Sequence, residues 1–175
     1  IKDSPILLSD LGEFSESGDR FAYVDDVSHR NTLFGRDALN SVGVGVNNSA
    51  FGYQAGFSFT SGSDNTLVGH AAGPLLTTGS NNIAIGSGAL ALATKATSTV
   101  AIGSGALENL DTGVSNTAVG YRSLNQTTTG ARNAALGNDS LFANTTGSDN
   151  TATGFSTLGN NTSGARNTGT GSLAL

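Results

Sequence analysis

Glu108 and Asp111 are the only closely spaced carboxylate pair in the greater part of the chain, so they are the first candidates for chemistry. Acid–base cleavage of a glycosidic bond needs two carboxyl groups about 5–10 Å apart. Their spacing fits a solvated loop better than a cleft. Asp37 and Asp139 lie 102 residues apart, six multiples of 17. In a stack of 17-residue coils that is roughly 29 Å, too far for joint action. Asp64 and Asp149, five multiples apart, would be separated by roughly 24 Å. His29 and His70 do not make a metal site by themselves. The many serines lack a His/Asp partner at a telling spacing. "GSDN" (147–150) lacks the Gly-Gly-x-Gly-x-Asp pattern of calcium-binding rolls. These residues predict a protein that is not an enzyme, with no catalytic, cofactor-binding or metal site and no cofactor.

Composition narrows the class. Only 12% of the 175 residues are charged, 37% are hydrophobic, and Gly fills 25 positions. An ordinary globular domain is about 25% charged. Such a chain is either low in complexity or a regular β structure, and fixed spacing separates the two. The net charge of −5 lies mostly in residues 1–30, with seven acids and three bases. No basic footprint for phosphate is present, which argues against nucleic-acid binding. The absence of Cys rules out a disulfide framework. No apolar run reaches the length of a membrane span.

The spacing is strict. Asn31, Asn48, Asn65, Asn82, Asn116, Asn133, Asn150 and Asn167 recur in steps of 17, with Thr99 filling the one gap. Four residues later stand Gly35, Gly52, Gly69, Gly86, Gly103, Gly120, Gly137, Gly154 and Gly171. A second column holds Gly45, Gly62, Gly79, Ala96, Gly113, Gly130, Gly147 and Gly164. The Asn is counted below as position 1 of each repeat. A period of 17 is too short for a helix pair, which takes about 33–34 residues. It suits one coil of a narrow parallel β-solenoid, an all-β fold with two short strands and two turns per coil. The glycines mark corners, where a Cβ is excluded by positive φ or close backbone approach. Residues 31–175 make nine coils, the last incomplete, in a rod on the order of 40 Å long.

Stacking gives each column a role. In-register asparagines would hydrogen-bond from coil to coil as a structural ladder. Position 3 is small and position 4 bulky (Ala84/Ile85, Ala101/Ile102); positions 8 and 9 repeat the contrast (Ala89/Leu90, Ala106/Leu107). Strand neighbours face opposite ways, so one member of each pair is expected inside and the other outside. An apolar outer stripe in water is an aggregation hazard, which predicts a second subunit over it. Arg132, Asp149 and Arg166 share position 17 on successive coils and predict an exposed charge ladder of little energetic weight. Residues 1–30 leave the repeat and form a separate segment, an N-terminal cap or an inter-subunit strand segment. "RFAYVDD" (20–26) reads as a degenerate first coil, and "SPILLSDL" (4–11) as a local cap or a strand lent to a neighbouring subunit.

"NNIAIGSGAL" (81–90) and "STVAIGSGAL" (98–107) resemble the head repeats of trimeric autotransporter adhesins of the YadA type. The "NTAxGxxxLxxNTTG" style of residues 116–164 is similar to repeats of bacteriophage tail-fibre-like proteins. The resemblance covers 31–175 and implies a left-handed roll, a trimer, and work in adhesion or fibre building. The coil here is slightly longer than the adhesin repeat, and no heptad stalk follows.

The leading expectation is a structural subunit of an extracellular fibre, filament or virion appendage. Its partner would be itself, as a trimer or helical filament, through apolar faces and open ends. The alternative is a carbohydrate- or surface-binding adhesin head on a cell surface, contacting surface glycans through the variable position 6. A third, an ice-binding solenoid, rests on abundant threonine, with Thr128, Thr145 and Thr162 in one column, but the paired strand threonines a flat ice face needs are few, at Thr151/Thr153 and Thr168/Thr170. Asn47, Asn125, Asn138, Asn144, Asn160 and Asn161 begin glycosylation sequons, a match that composition alone favours.

Overall fold

The computed structural model describes residues 29–41 and 43–175 with their side chains, and the backbone of 14–16 and 19–24. All regular structure among them is strand. β1 (Phe14–Glu16) and β2 (Asp19–Val24) precede nine three-residue strands. These are β3 (Thr32–Phe34), β4 (Ser49–Phe51), β5 (Thr66–Val68), β6 (Ile83–Ile85), β7 (Val100–Ile102), β8 (Thr117–Val119), β9 (Ala134–Leu136), β10 (Thr151–Thr153) and β11 (Thr168–Thr170). They form one sheet in chain order. From β3 onward every pairing is parallel and joins residues 17 apart, such as Ala101↔Ala118 and Ala118↔Ala135. The fold is a parallel β-solenoid with a 17-residue coil.

Each coil has one strand, at positions 2–4, where two were expected. Positions 8 and 9 form a tight bend instead. The cause is backbone conformation. Position 7 is left-handed at Asp37 (φ 59°) and Arg122 (φ 50°), and position 9 at Leu90 (φ 54°) and Leu124 (φ 51°). A left-handed residue breaks the alternation that a strand requires. Positions 8 and 9 therefore both point inward. Leu39, Leu90, Leu107, Leu124 and Leu141 are fully buried, not outward-facing. Each contributes roughly 1.5–3 kcal/mol of burial.

The interior is filled by positions 3, 8, 9 and 12. Beside the asparagine ladder, these positions are apolar among the described residues up to Leu110, with Phe59, Leu76, Ala93 and Leu110 successive at position 12. The interior then turns polar: Thr127 and Asn144 follow at position 12, and Ser123, Ser140 and Thr157 replace Ala at position 8. Each buried hydroxyl has an acceptor. Ser123 Oγ donates to Ala135 O at 3.3 Å and Thr127 Oγ1 to Asn144 O at 2.8 Å.

The N-terminal edge of the solenoid reverses direction. β2 pairs antiparallel with β3 (Ala22↔Phe34, Tyr23↔Leu33, Val24↔Thr32), and β1 pairs antiparallel with β2. Residues 19–24 are therefore a hairpin strand laid on the first coil, not a degenerate coil. The apolar 4–11 segment lies outside the described residues.

Candidate interaction surface

The inner wall fixes the outer one. Asn48, Asn65 and Asn82 each donate Nδ2 to Oδ1 of the preceding coil's Asn at 2.9–3.0 Å, and their backbone N–H groups reach the same oxygen at 2.8–3.0 Å. The same Nδ2 crosses the roll to the position 15 carbonyl of its own coil, as Asn48 does to Gly62 O at 3.1 Å. One amide thus joins neighbouring coils and closes its own coil. Asn116, Asn133, Asn150 and Asn167 resume the ladder after Thr99. A second pair of rungs, Asn161 Nδ2 to Asn144 Oδ1 at 2.9 Å, sits at position 12. Sequence reasoning missed it because two rungs do not make a visible column.

The two glycine columns work differently. At position 5 both constraints apply: Gly120 has φ 137°, and a Cβ there would lie 2.5 Å from the Gly137 carbonyl. At position 15 φ is ordinary and only space is short, with a Cβ on Gly62 falling 2.0 Å from Gly79 O. Ala96 shows that this second column tolerates a methyl once, fully buried.

With positions 3, 8 and 9 inside, the apolar residues on the outer face of the strands come from positions 2 and 4, while Val44, Leu75, Leu92 and Val114 are exposed elsewhere on the coils. Phe34, Phe51, Ile83, Ile85 and Leu136 are exposed, and Val68, Val100, Ile102 and Val119 half-exposed. From β3 to β9 they form a stripe of six strand spacings, about 29 Å. At β10 and β11 the stripe ends in Thr151, Thr153, Thr168 and Thr170, all exposed and in register.

One edge of this face carries an aromatic ledge at position 6. Tyr53 and His70 stack with centroids 5.7 Å apart, and the Arg36 guanidinium lies 5.2 Å from the Tyr53 ring centre. Tyr121 and Phe155 are about half-exposed, and Arg122 sits 4.9 Å over the Tyr121 ring. The predicted position 17 charge ladder is half formed. Arg132 grips Asp149 through Nε and a terminal nitrogen at 2.7 and 2.9 Å. That hydrogen bonding holds the Asp149 carboxyl below its ordinary pKa, with the charges of Arg132 and Arg166 adding to it, and raises that of Arg132. Arg166 makes no ion pair with Asp149. Sequence reasoning also missed the Arg122–Asp139 pair at position 7, at 2.9 Å.

The structure does not bring the candidate chemical residues into a cleft. Glu108 accepts from Asn125 at 2.8 Å and Asp111 from Thr94 Oγ1 at 2.8 Å, so each serves a different neighbouring coil. His70 is exposed on the ledge. Of the sequon asparagines, Asn125 and Asn144 are buried, while Asn47, Asn138 and Asn160 are exposed. No helix among the described residues is long and apolar enough to cross a membrane. No protein-family model, curated protein or solved structure matches the chain.

Proposed function

We propose that this solenoid is a structural building block of an extracellular fibre, filament or virion appendage, and that its partner is another copy of itself. The observation that carries the reading is the stripe from Phe34 to Leu136. These side chains stand on the outer face of strands whose inner face is already packed, and parallel strands apolar on both sides are as a rule covered on both. The described residues supply a rigid rod and no cleft with converging ionisable groups, which suits assembly better than catalysis. The trimeric and fibrous proteins that the repeat resembles point the same way.

Sedimentation equilibrium and negative-stain microscopy of the 175-residue protein test this. Association that is lost in Ile85→Asp supports the reading. A monomer from nanomolar to millimolar concentration overturns it.

The exposed rings of position 6 favour a second reading, an adhesin that contacts glycans. Aromatic faces suit the C–H surfaces of sugars, but the Tyr53 and His70 faces are already turned on each other and on Arg36. Arg122 covers one face of the Tyr121 ring, so its other face and Phe155 are the remaining contacts. Glycan-array binding lost in a Tyr121→Ala/Phe155→Ala double variant would favour this reading over the first.

A further inference from the structure

The outer stripe is not the whole of the exposed apolar surface. Leu75 and Leu92, at position 11 of successive coils, are exposed, and Phe57, Pro74 and Ala91 at position 10 are half-buried beside them. Backbone bonds hold this row in register. Ser58 N–H donates to Pro74 O and Leu92 N–H to Glu108 O, both at 2.8 Å. Proline fits at position 10 because an N–H there serves only its own turn, as Phe57 N–H does to Gln54 O. The position 6 ledge and the left-handed bend separate this row from the stripe. The row is confined to coils 48–98, and Glu108 and Asn109 replace it in the next coil.

The stripe has a centre of its own. Only β6 and β7 carry a large apolar side chain at both outward positions, as Ile83, Ile85, Val100 and Ile102. Their flanks are uncharged, with Ser87 and Ser104 at position 6 and Asn81, Ser98 and Ser115 at position 17. A core depleted of charge is the mark of an interface centre. Charge is sorted by coil just beyond it. Coil 99–115 has two acids, Glu108 and Asp111, and no base, whereas coil 116–132 has Arg122 and Arg132 and no acid. The two acids stand at either margin of position 11, and the two arginines follow the strand on either side of its coil, at positions 7 and 17.

We infer that the stripe of one copy seats on the position 10–11 row of the next, with the rods parallel and staggered by one coil. This rests on the self-association proposed above and names the surface that meets the stripe. Pairing stripe on stripe would leave Leu75 and Leu92 in water, whereas one contact between unlike surfaces covers both. A stagger of one coil sets Leu75 against β6 of the neighbouring copy and Leu92 against its β7. It also turns Glu108 and Asp111 toward the basic coil 116–132, where an unstaggered contact would turn them toward the acidic coil 99–115. Arg122 and Arg132 are paired with Asp139 and Asp149, but a guanidinium has five N–H donors and keeps some to spare. An axial rise of about 4.8 Å per copy does not close into a ring, so the contact repeats and builds an open filament.

Mixing two variants tests this, by sedimentation velocity at a concentration where the unaltered protein associates. Leu92→Asp keeps the stripe and loses the row, and Ile85→Asp keeps the row and loses the stripe. Each alone should be monomeric, and an equal mixture should form a 1:1 dimer that grows no further. Leu75→Asp and Ile83→Asp fill the same two roles if either variant folds poorly. If Leu92→Asp and Leu75→Asp assemble as the unaltered protein does, the inference falls and association through the stripe stands. If the unaltered protein is monomeric at every concentration, both fall. The stagger is read by disulfide trapping, since the chain has no Cys. Leu92→Cys mixed with Ile102→Cys should cross-link at least fivefold faster than Leu92→Cys mixed with Ile85→Cys, because a disulfide tolerates little change in Cα separation. Equal rates, or closed trimers in the microscope, would overturn the stagger.

Discussion

At the scale of single residues, the strongest constraint is the pairing of conformation with space at position 5. Gly86→Ala must hold a Cβ at φ 135° and place it 2.6 Å from the Gly103 backbone. The expected cost is about 2–4 kcal/mol by urea denaturation, from strain and forced separation of two coils. Gly88→Ala is the control. It is also left-handed, at φ 67°, but nothing lies within 4 Å of its Cβ, so the cost should be about 1 kcal/mol. Asp149 supplies a charge test. Its carboxyl is ionised below the ordinary carboxylate range because Arg132 donates to it. A depressed folded pKa adds stability above the unfolded value, and that stability is lost as pH falls through the folded one. NMR titration of Arg132→Gln should move the Asp149 midpoint upward. An unmoved midpoint would mean that the pair does not form in solution.

At the scale of the coil, the period and the corners were legible, and the bend was not. Regular recurrence of Asn and Gly fixed the 17-residue register, because stacked coils place equivalent residues against each other. Strand alternation predicts position 9 outward, whereas its left-handed backbone turns it inward. A signal for it stood in the sequence: Gly56 and Gly73 share that column with six buried leucines. A column in which Gly and Leu exchange is a column whose conformation glycine prefers. Position 7 carries the same mark, with Gly88 and Gly105 among Asp37, Gln54 and Ala71, all at positive φ. The outward stripe was correctly placed for position 4 and wrongly extended to position 9, so half of the expected apolar exterior is core. Leu124→Ala should therefore cost about 2–5 kcal/mol, as a cavity in a packed interior does. An exposed leucine would cost little, and urea denaturation of that variant distinguishes the two.

At the scale of the whole molecule, the two ends of the described sheet are unlike. The β1–β2 hairpin covers the backbone of the first coil with an antiparallel strand, a device that blunts edge-to-edge pairing. Removing residues 1–28 should leave the later coils folded and uncover the β3 edge. Light scattering should then report concentration-dependent aggregation even in the Ile85→Asp background, where the outer stripe is disabled. If the truncated protein stays monodisperse, the hairpin does not guard that edge. Little of this was legible, because an antiparallel turn at the end of a parallel stack leaves no period to read.

The register of the stack has one more consequence. A coil takes 17 residues to climb one strand spacing, where the same residues as an α-helix would reach about 25 Å. The fold gives up reach and gains independence. Ladder, corners and bend are confined to fixed columns, and an outward residue such as Tyr121 or Ile85 meets only the tiers immediately above and below. The exterior is a grid whose cells can be rewritten singly while the columns beneath keep the shape. A molecule built this way can change what it presents to the world without learning to fold again.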